Sequence, residues 1–433
     1  MTEGFKAFPF AGVDRRTAWL RAALLGATIL GLIASAPVWS NTRLYPLLPL
    51  AAWFPILPAP WDKCLFGAML LALVLACWFY RWGVIVFLGA SLFAFCEDQN
   101  RGQPWLYMYW VMLLLTLFPT PVPIAACRLA MSTVYLWSGV QKCHPRFFQI
   151  VPEWFVAPAA HWHLPSFAID LLHWTVATVP FVEIAIGLAL WVPRLRRPAI
   201  LTVAALHLGA LLFLGPLGHN YNWVVWPWNL AMIALVCALF TIGKLPQKSV
   251  TGSASPASPK QPPVKGHGSA SRKSAAIPSL GIGLAQALAE LRKSKPALVI
   301  LALYSVLPIL SFSGKWDSDF SFSLYSENQA VANVFISKAF GDRLPAHLQR
   351  YVQPFQQDYD PQRQAPYTFG FQAWCYEEMH VPPIPEPRNF RRIFQFLRAY
   401  SKEPDDLRMI VGTRGGPVMF FQGDNVEFLQ QTR

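Results

Sequence analysis

The 433-residue sequence is short of charged side chains: Asp, Glu, Lys and Arg make up 14% of it, well below the share usual in soluble domains. Apolar residues make up 54% and occur in blocks of about 17 to 25, each long enough as a helix to cross a hydrocarbon layer. Too few polar groups remain to cover that apolar surface in water. The composition excludes an ordinary soluble protein and predicts a multi-pass membrane protein.

Cysteine is also scarce, with seven residues and no Cys-x-x-Cys pair. Most of them lie in apolar stretches, where cysteine usually packs as a small hydrophobic residue. The pattern predicts neither a metal site nor a disulfide framework. Cys96 and Cys143 are both expected near the outer face, so a bridge between them stays open.

The positive charge is concentrated in one segment. Of the net charge of +13, the stretch from Lys244 to Lys295 contributes nine Lys or Arg against one acid, Glu290. Such a cluster between membrane spans marks the cytoplasmic side and attracts anionic lipid. We therefore expect membrane lipid, and no nucleic acid, as its partner. Residues 243–279 are predicted to be a disordered, basic, Ser/Pro/Lys-rich cytoplasmic linker.

About nine transmembrane helices are predicted, with the N-terminus inside. Their approximate positions are residues 17–37, 64–80, 82–97, 104–120, 124–143, 168–192, 198–216, 221–242 and 297–313. The stretch Leu44 to Pro60 is apolar but holds five prolines, which interrupt helical hydrogen bonding. We expect it to be irregular or re-entrant, and whether it crosses the membrane stays open.

The fold class predicted is an all-α membrane bundle with a small C-terminal α+β soluble domain outside. Residues 10–242 form an eight-helix membrane domain, 280–314 an amphipathic segment and the ninth span, and 315–433 the exported domain. Within the last, a helix is expected near Pro387 to Tyr400. Two apolar runs, Arg408 to Val411 and Val418 to Phe421, are expected to form a hairpin through Gly415 and Gly416.

Polar residues inside spans point to a site, because burying them in lipid is costly. In the fifth span, Arg128, Tyr135 and Lys142 are spaced by seven, and Gly139 lies on nearly the same face. Two interpretations stand. Either the two cationic side chains snorkel to opposite surfaces, or a partly desolvated Lys142 is a neutral amine that acts as a general base.

The next two spans each add an ionisable residue, Glu183 near Gly187 and then His207. Either side chain alone more often hydrogen-bonds a neighbouring helix than performs chemistry. With Lys142 they form a possible acid/base set, in which Glu183 relays protons and His207 stabilises developing negative charge.

Two further polar segments have competing interpretations. Trp223, Trp226 and Trp228 in the eighth span fit an interfacial aromatic belt, or, with Asn229, a site for a flat aromatic ligand such as a quinone. The group Glu97, Asp98, Arg101 and Gln103 after the third span is expected to be a solvated turn with local ion pairs rather than a pocket rim.

The segment YLWSGVQK at 135–142, followed by FVEIAIGLAL and ALHLGALLF, resembles the membrane domain of vitamin K-dependent gamma-carboxylase, which bacterial relatives share as the HTTM domain. The resemblance covers residues 10–242. It implies a quinone or hydroquinone cofactor, with Lys142 as the deprotonating base and His207 as its support, and carboxylase-like chemistry.

The function predicted is an integral membrane protein that binds a quinone-like or other lipophilic small molecule. Whether it is also a carboxylase-like or quinone-dependent enzyme stays open. Lys142, His207 and Glu183 are its expected catalytic residues, and Tyr135, Gly139, Trp226 and Asn229 its expected binding residues. The alternative is a non-catalytic scaffold or partner subunit whose extracytoplasmic domain binds a protein. The expected location is the cell membrane, with the bacterial inner membrane and a periplasmic C-terminal domain as the specific prediction.

Overall fold

The computed structural model describes residues 13–241, 283–355, 367–413, 417–423 and 425–429. The basic segment 243–279, predicted to be a linker, lies outside these residues, and so does the Gly415–Gly416 turn. The described chain is mostly helical, with one antiparallel sheet near its C-terminal end.

Helices dominate the chain up to Val306. In chain order they are α1 (Arg15–Ala34), α2 (Trp61–Leu75), α3 (Tyr80–Glu97), α4 (Pro104–Leu115), α5 (Val122–Lys142), α6 (Pro145–Val156), α7 (Ser166–Ala189), α8 (Arg196–Leu214), α9 (Val225–Phe240), α10 (Leu284–Leu291) and α11 (Lys295–Val306). A 3₁₀ helix, Leu307–Ser313, continues α11.

Five of these segments are long and apolar enough to cross a membrane: α1, α3, α7, α8 and α11 with its continuation to Ser313. Helices α4 and α9 are apolar but shorter. A helix stands at each of the nine positions predicted for spans, but the number of crossings and the inside–outside orientation stay predictions. The described residues therefore form a mostly helical structure with five candidate membrane spans.

Helix α6 was not predicted. It begins after His144 with Pro145 in its first turn, where a missing N–H costs nothing. Phe147 and Val151 are buried on one face of it. This face packs against α7 and α8 and covers one end of the bundle.

Helix α5 lies at the centre of the bundle and is buried along most of its length, with α7, α4, α9 and α11 around it. Its approach to α7 is close at two glycines. A Cβ on Gly139 would lie 2.5 Å from the Pro180 carbonyl oxygen, and one on Gly187 would lie 2.8 Å from the Leu136 side chain. Small residues at such contacts let two backbones approach within the membrane.

The stretch from Leu44 to Pro60 contains no helix, as predicted from its prolines. It lies beside the C-terminal end of α3, where Leu57 N–H donates to Glu97 at 2.6 Å and Leu48 N–H donates to Asp98 at 3.1 Å. Arg43, just before the stretch, pairs with Asp98.

The polar group after α3 is therefore not a solvated turn. Glu97, Asp98, Arg101 and Gln103 are all buried, and Arg101 pairs with Glu97 at 2.9 Å. The expectation of a solvated turn was wrong because the proline-rich stretch and Arg43 cover the turn and supply its hydrogen-bond partners. Cys96 beside it and Cys143 are both free thiols.

The C-terminal part holds a six-stranded antiparallel sheet in the order β2-β3-β1-β4-β5-β6. The strands are β1 (Val331–Ile336), β2 (Val352–Pro354), β3 (Tyr367–Phe369), β4 (Leu407–Gly412), β5 (Val418–Gln422) and β6 (Asn425–Leu429). Four helices join it: α12 (Lys338–Arg343), α13 (Ala346–Gln349), α14 (Phe371–Met379) and α15 (Pro387–Arg398). The predicted pairing of the two apolar runs, now β4 and β5, and the helix now labelled α15 are present.

The C-terminal part packs on the end of the bundle where α3 and α5 finish. Gln103 donates to the Pro382 carbonyl at 3.0 Å, and Arg388 donates to Gln99 at 2.7 Å. At the end of α5, Gln141 accepts a hydrogen bond from Asn328. These contacts bring the segment after Ser313 over the space between α5, α7 and α8.

Candidate functional site

A cavity of about 250 Å³ lies between α5, α7, α8 and α9, and α6 covers it from one end. Most of its wall is aliphatic or aromatic, with Val134, Val176, Leu206 and Met232 as examples. Polar side chains are grouped on α5, α7, α8 and α9. An apolar cavity with a few convergent polar groups is the usual form of a small-molecule site.

Lys142 and Glu183 form the first polar group. The Lys142 ammonium nitrogen lies 2.9 Å from one Glu183 carboxylate oxygen and 3.1 Å from the other. Ser138, one turn before Lys142, accepts from that ammonium at 2.6 Å and donates to Glu183 at 3.1 Å. Each N–H of the ammonium thus has an acceptor within the chain.

Tyr135, His207 and Asn229 form the second polar group as a chain of hydrogen bonds. The Tyr135 hydroxyl lies 2.8 Å from His207 Nε2, and His207 Nδ1 lies 2.6 Å from Asn229 Oδ1. Asn229 in turn donates from its amide nitrogen to the Val225 carbonyl at 2.7 Å. Three helices, α5, α8 and α9, are joined across the cavity wall by this chain.

An aromatic cap closes the end of the cavity next to α6. Phe322 and Tyr325, from the segment that precedes the sheet, line the cavity together with Phe155 of α6. The Tyr325 hydroxyl accepts from Asn222 at 3.0 Å, and its ring stacks on Trp154 at 5.5 Å. Phe322 and Tyr325 both have left-handed backbone, with φ of 59° and 55°, which persists only where surrounding contacts hold it.

The cavity opens on the side of the bundle between α7 and α8. Thr175 on α7 and Ala205 on α8 both line it and are exposed. The neighbouring outward residues Leu171, Trp174 and Leu208 are apolar and exposed, and both helices are candidate membrane spans. The opening therefore lies on an apolar outer surface formed by α7 and α8.

Five of the seven residues predicted for the site line this cavity: Tyr135, Lys142, Glu183, His207 and Asn229. The other two lie elsewhere. Gly139 faces the backbone of α7, and Trp226 donates to the Leu214 carbonyl at 3.2 Å and stacks on Trp223. Their placement is that of helix-packing residues.

Arg128 is also placed away from the cavity. Its side chain is fully buried and donates to the Leu239 carbonyl at the end of α9 at 2.7 Å. Lys142 is 8% exposed. Neither cation extends to solvent, so snorkelling does not describe them.

Three side chains of the site, Ser138, Phe322 and Tyr325, were not predicted from the sequence. Ser138 lies one turn from Lys142, so helical spacing alone could have placed it there. Trp228, for which an aromatic belt and a ligand site were both open, lines the cavity. The cap residues Phe322 and Tyr325 lie far along the chain, and no sequence pattern marked them.

The helices and the cavity define a helical integral membrane protein with an internal, laterally open site. The family model described as methylamine utilisation protein MauE matches residues 120–222, which run from α5 to the loop before α9. This segment carries Tyr135, Lys142, Glu183 and His207, but it is about a quarter of the chain, so it is a similarity of that segment. No curated protein and no solved structure matches the chain.

The family comparison corrects the resemblance drawn from the YLWSGVQK segment. The matching family model is that of MauE, a membrane protein family, and not HTTM. A motif with three specified residues over eight positions is too short to separate helical membrane families. The carboxylase chemistry that the resemblance implied loses its support.

Proposed function

We propose that this membrane protein binds a lipophilic small molecule, a quinone-like ring compound among the candidates, in the cavity between α5, α7, α8 and α9. The observation that carries the proposal is the distribution of polarity in that cavity: its wall is largely apolar, and its polar side chains are concentrated in the Lys142 and His207 groups. An amphiphilic molecule fits such a wall, with its polar head against the two groups and its apolar part along the rest.

The size and opening of the cavity support the same ligand class. A cavity of roughly 150 Å³ holds a benzene molecule, so about 250 Å³ has room for a substituted ring. A longer apolar tail would leave through the gap between α7 and α8 and remain among lipid chains. Entry from the bilayer would not require the cap over Phe322 and Tyr325 to open.

The polar groups would fix the ligand's head and handle protons. Lys142 and Glu183 together carry no net charge, so they favour a neutral head group. His207 is held in one ring orientation between Tyr135 and Asn229, so its position in the cavity wall is fixed. Under this proposal Lys142 acts as a base only after passing a proton to Glu183.

We further propose that the C-terminal part lies outside the cytoplasm. Arg15 and Arg16 begin α1, and Arg196 and Arg197 begin α8. Near that end of α1, Arg21 donates to the Thr116 carbonyl just after α4, whereas the C-terminal part contacts Gln103 at the opposite end of α4. Positive charge favours the cytoplasmic side. A bacterial inner membrane with the sheet on the periplasmic side fits this arrangement.

The test is to purify the protein in mild detergent and identify the lipophilic molecules that stay with it by mass spectrometry. Wild type is compared with Lys142→Ala and His207→Ala. One compound retained by wild type and lost from both variants supports the proposal. A lipid profile that is the same in all three proteins contradicts it.

A second function, a non-catalytic accessory subunit, is favoured by one observation. The Lys142 ammonium makes its hydrogen bonds within the chain, to Ser138 and Glu183, so the ion pair can serve to join α5 to α7. In that case the exported part would bind a protein. Capture of a specific partner by a protein that retains no lipophile would support this function over the first.

A further inference from the structure

The direction of each hydrogen bond in the Tyr135 chain can be assigned. Asn229 contacts the Val225 carbonyl at 2.7 Å, and a carbonyl only accepts, so the atom of Asn229 on that side is its NH₂ group. The other atom of the amide, Oδ1, therefore faces His207 Nδ1. Because Oδ1 only accepts, Nδ1 carries a hydrogen.

His207 is then the donor toward α9 and the acceptor toward α5. Its described hydrogen-bond partners are an amide and a phenol, and a charged imidazolium beside only neutral partners in an apolar wall would be costly. In the neutral ring, Nε2 bears a lone pair, so the Tyr135 hydroxyl donates to it. The hydrogen of Tyr135 is thus committed, and its oxygen keeps free lone pairs.

In the Lys142 group, too, the hydrogens are already donated while acceptor positions stay free. The N–H groups of the ammonium point to Ser138 and Glu183, and the Ser138 hydrogen points to Glu183. The Glu183 carboxylate has about four lone-pair positions, more than these donors occupy. Both polar groups of the wall therefore present hydrogen-bond acceptors to the cavity, because their hydrogens are already donated to partners within each group.

We infer that the ligand's polar head is a hydroxyl group, as in a phenol or alcohol, rather than a carbonyl or ether. This inference rests on the proposed function of the cavity. A hydroxyl hydrogen can be donated to the Tyr135 oxygen or the Glu183 carboxylate, whereas a carbonyl or ether oxygen would face these acceptors without a hydrogen to share.

Trp228 is consistent with a hydroxyl. Its indole N–H is buried in the cavity wall and has no acceptor among the described residues. A hydroxyl oxygen accepts as well as donates, so one head group can serve both this donor and the acceptors. A carbonyl oxygen could accept from the indole N–H but has no hydrogen to donate to the acceptors.

The inference is tested with three probes that share a nine-carbon tail: 4-nonylphenol, its methyl ether 4-nonylanisole, and 4-nonylbenzaldehyde. Each is titrated into the full-length protein in lipid nanodiscs, and bound probe is counted by native mass spectrometry. Gly209→Leu serves as the blank for binding outside the cavity, because Gly209 lines the cavity and a Cβ there meets nothing within 4 Å.

We expect the phenol to bind about fivefold more tightly than either other probe, the effect of one net hydrogen bond. Equal binding of the three, or tighter binding of the aldehyde or ether, overturns the inference and leaves the proposed function standing. If none of the three binds above the Gly209→Leu blank, both the inference and the proposed function fail.

Tyr135→Phe tests the assigned direction of the Tyr135–His207 hydrogen bond. The readout is which of the three probes binds most tightly, so a general change in affinity does not affect it. If Tyr135 donates to His207, the variant uncovers an acceptor, Nε2, and the phenol stays the preferred probe. If His207 were the donor, the variant would uncover an N–H, and the aldehyde would become preferred, which overturns the inference. Tyr109→Phe is the control, since that buried hydroxyl lies outside the cavity lining and has no described hydrogen-bond partner.

Discussion

Lys142 on α5 and Glu183 on α7 form an ion pair inside the helical bundle, with 2.9 Å between Nζ and Oε2 and side chains only 10% and 11% exposed. Each is the nearest charged partner that the other has. Their helices pack closely through Gly139 and Gly187. The pair therefore serves two purposes at once: it neutralises two buried charges and forms part of the cavity wall.

Replacing Lys142 with Ala should destabilise the protein by about 3 to 5 kcal/mol, because the Glu183 carboxylate is left buried without its cation. The measurement is the thermal unfolding midpoint in detergent. The double variant Lys142→Met/Glu183→Gln removes both charges, so it should unfold at a higher temperature than Lys142→Ala. A single variant as stable as wild type would show that the pair is not formed.

Gly139→Ala should cost about 1 to 3 kcal/mol, the usual cost of overpacking. The added Cβ would meet the Pro180 carbonyl oxygen and the Ile184 backbone, which cannot move aside as a side chain can. Gly26→Ala is the matched control, because it lies within α1 and its Cβ would meet nothing within 4 Å. Equal unfolding midpoints for the two variants would contradict the close approach of α5 and α7.

Stability should fall as pH rises from about 5 to about 7. Burial, together with Asp317, raises the pKa of Glu386 from 4.5 to about 7. Between these values the folded protein holds a proton that the unfolded chain has released, so raising the pH favours unfolding, and the effect ends above about 7.

Glu386→Gln isolates this carboxyl. The variant should lose part of the decline in unfolding midpoint between pH 5 and 7. Burial also raises the pKa of Asp319, so some decline with the same sign should remain. A wild-type midpoint that rises over this interval, or a decline that Glu386→Gln leaves unchanged, would count against the buried position of Glu386.

Much of the membrane part could be predicted from sequence because apolar blocks and helical spacing are local signals. The predicted positions of nine helices and the five residues that line the cavity all follow from such signals. Lys142 and Glu183 stood out because charge in an apolar stretch needs a partner. The sequence could not show that they are each other's partner, since 41 residues separate them.

The features missed depend on contacts between distant segments. Glu97 and Asp98 look solvated in sequence, yet they are buried because Arg43 and the stretch from Leu44 to Pro60 fold over them. The cap residues Phe322 and Tyr325 come from beyond α11. Helix α6 is an exception: Phe147, Val151 and Phe155 recur every four residues, so a helical pattern was present in a segment for which no helix was predicted.

The most direct test of the account is the amount of lipophilic ligand bound per protein in wild type, Gly209→Leu and Gly67→Leu. A Cβ at either glycine meets nothing within 4 Å, but only Gly209 lines the cavity, so both variants should fold and only Gly209→Leu should fill the site. The account predicts one retained molecule in wild type and Gly67→Leu and at least a tenfold loss in Gly209→Leu, about 1.4 kcal/mol or more. Equal retention in all three proteins would contradict the claim that this cavity holds the ligand.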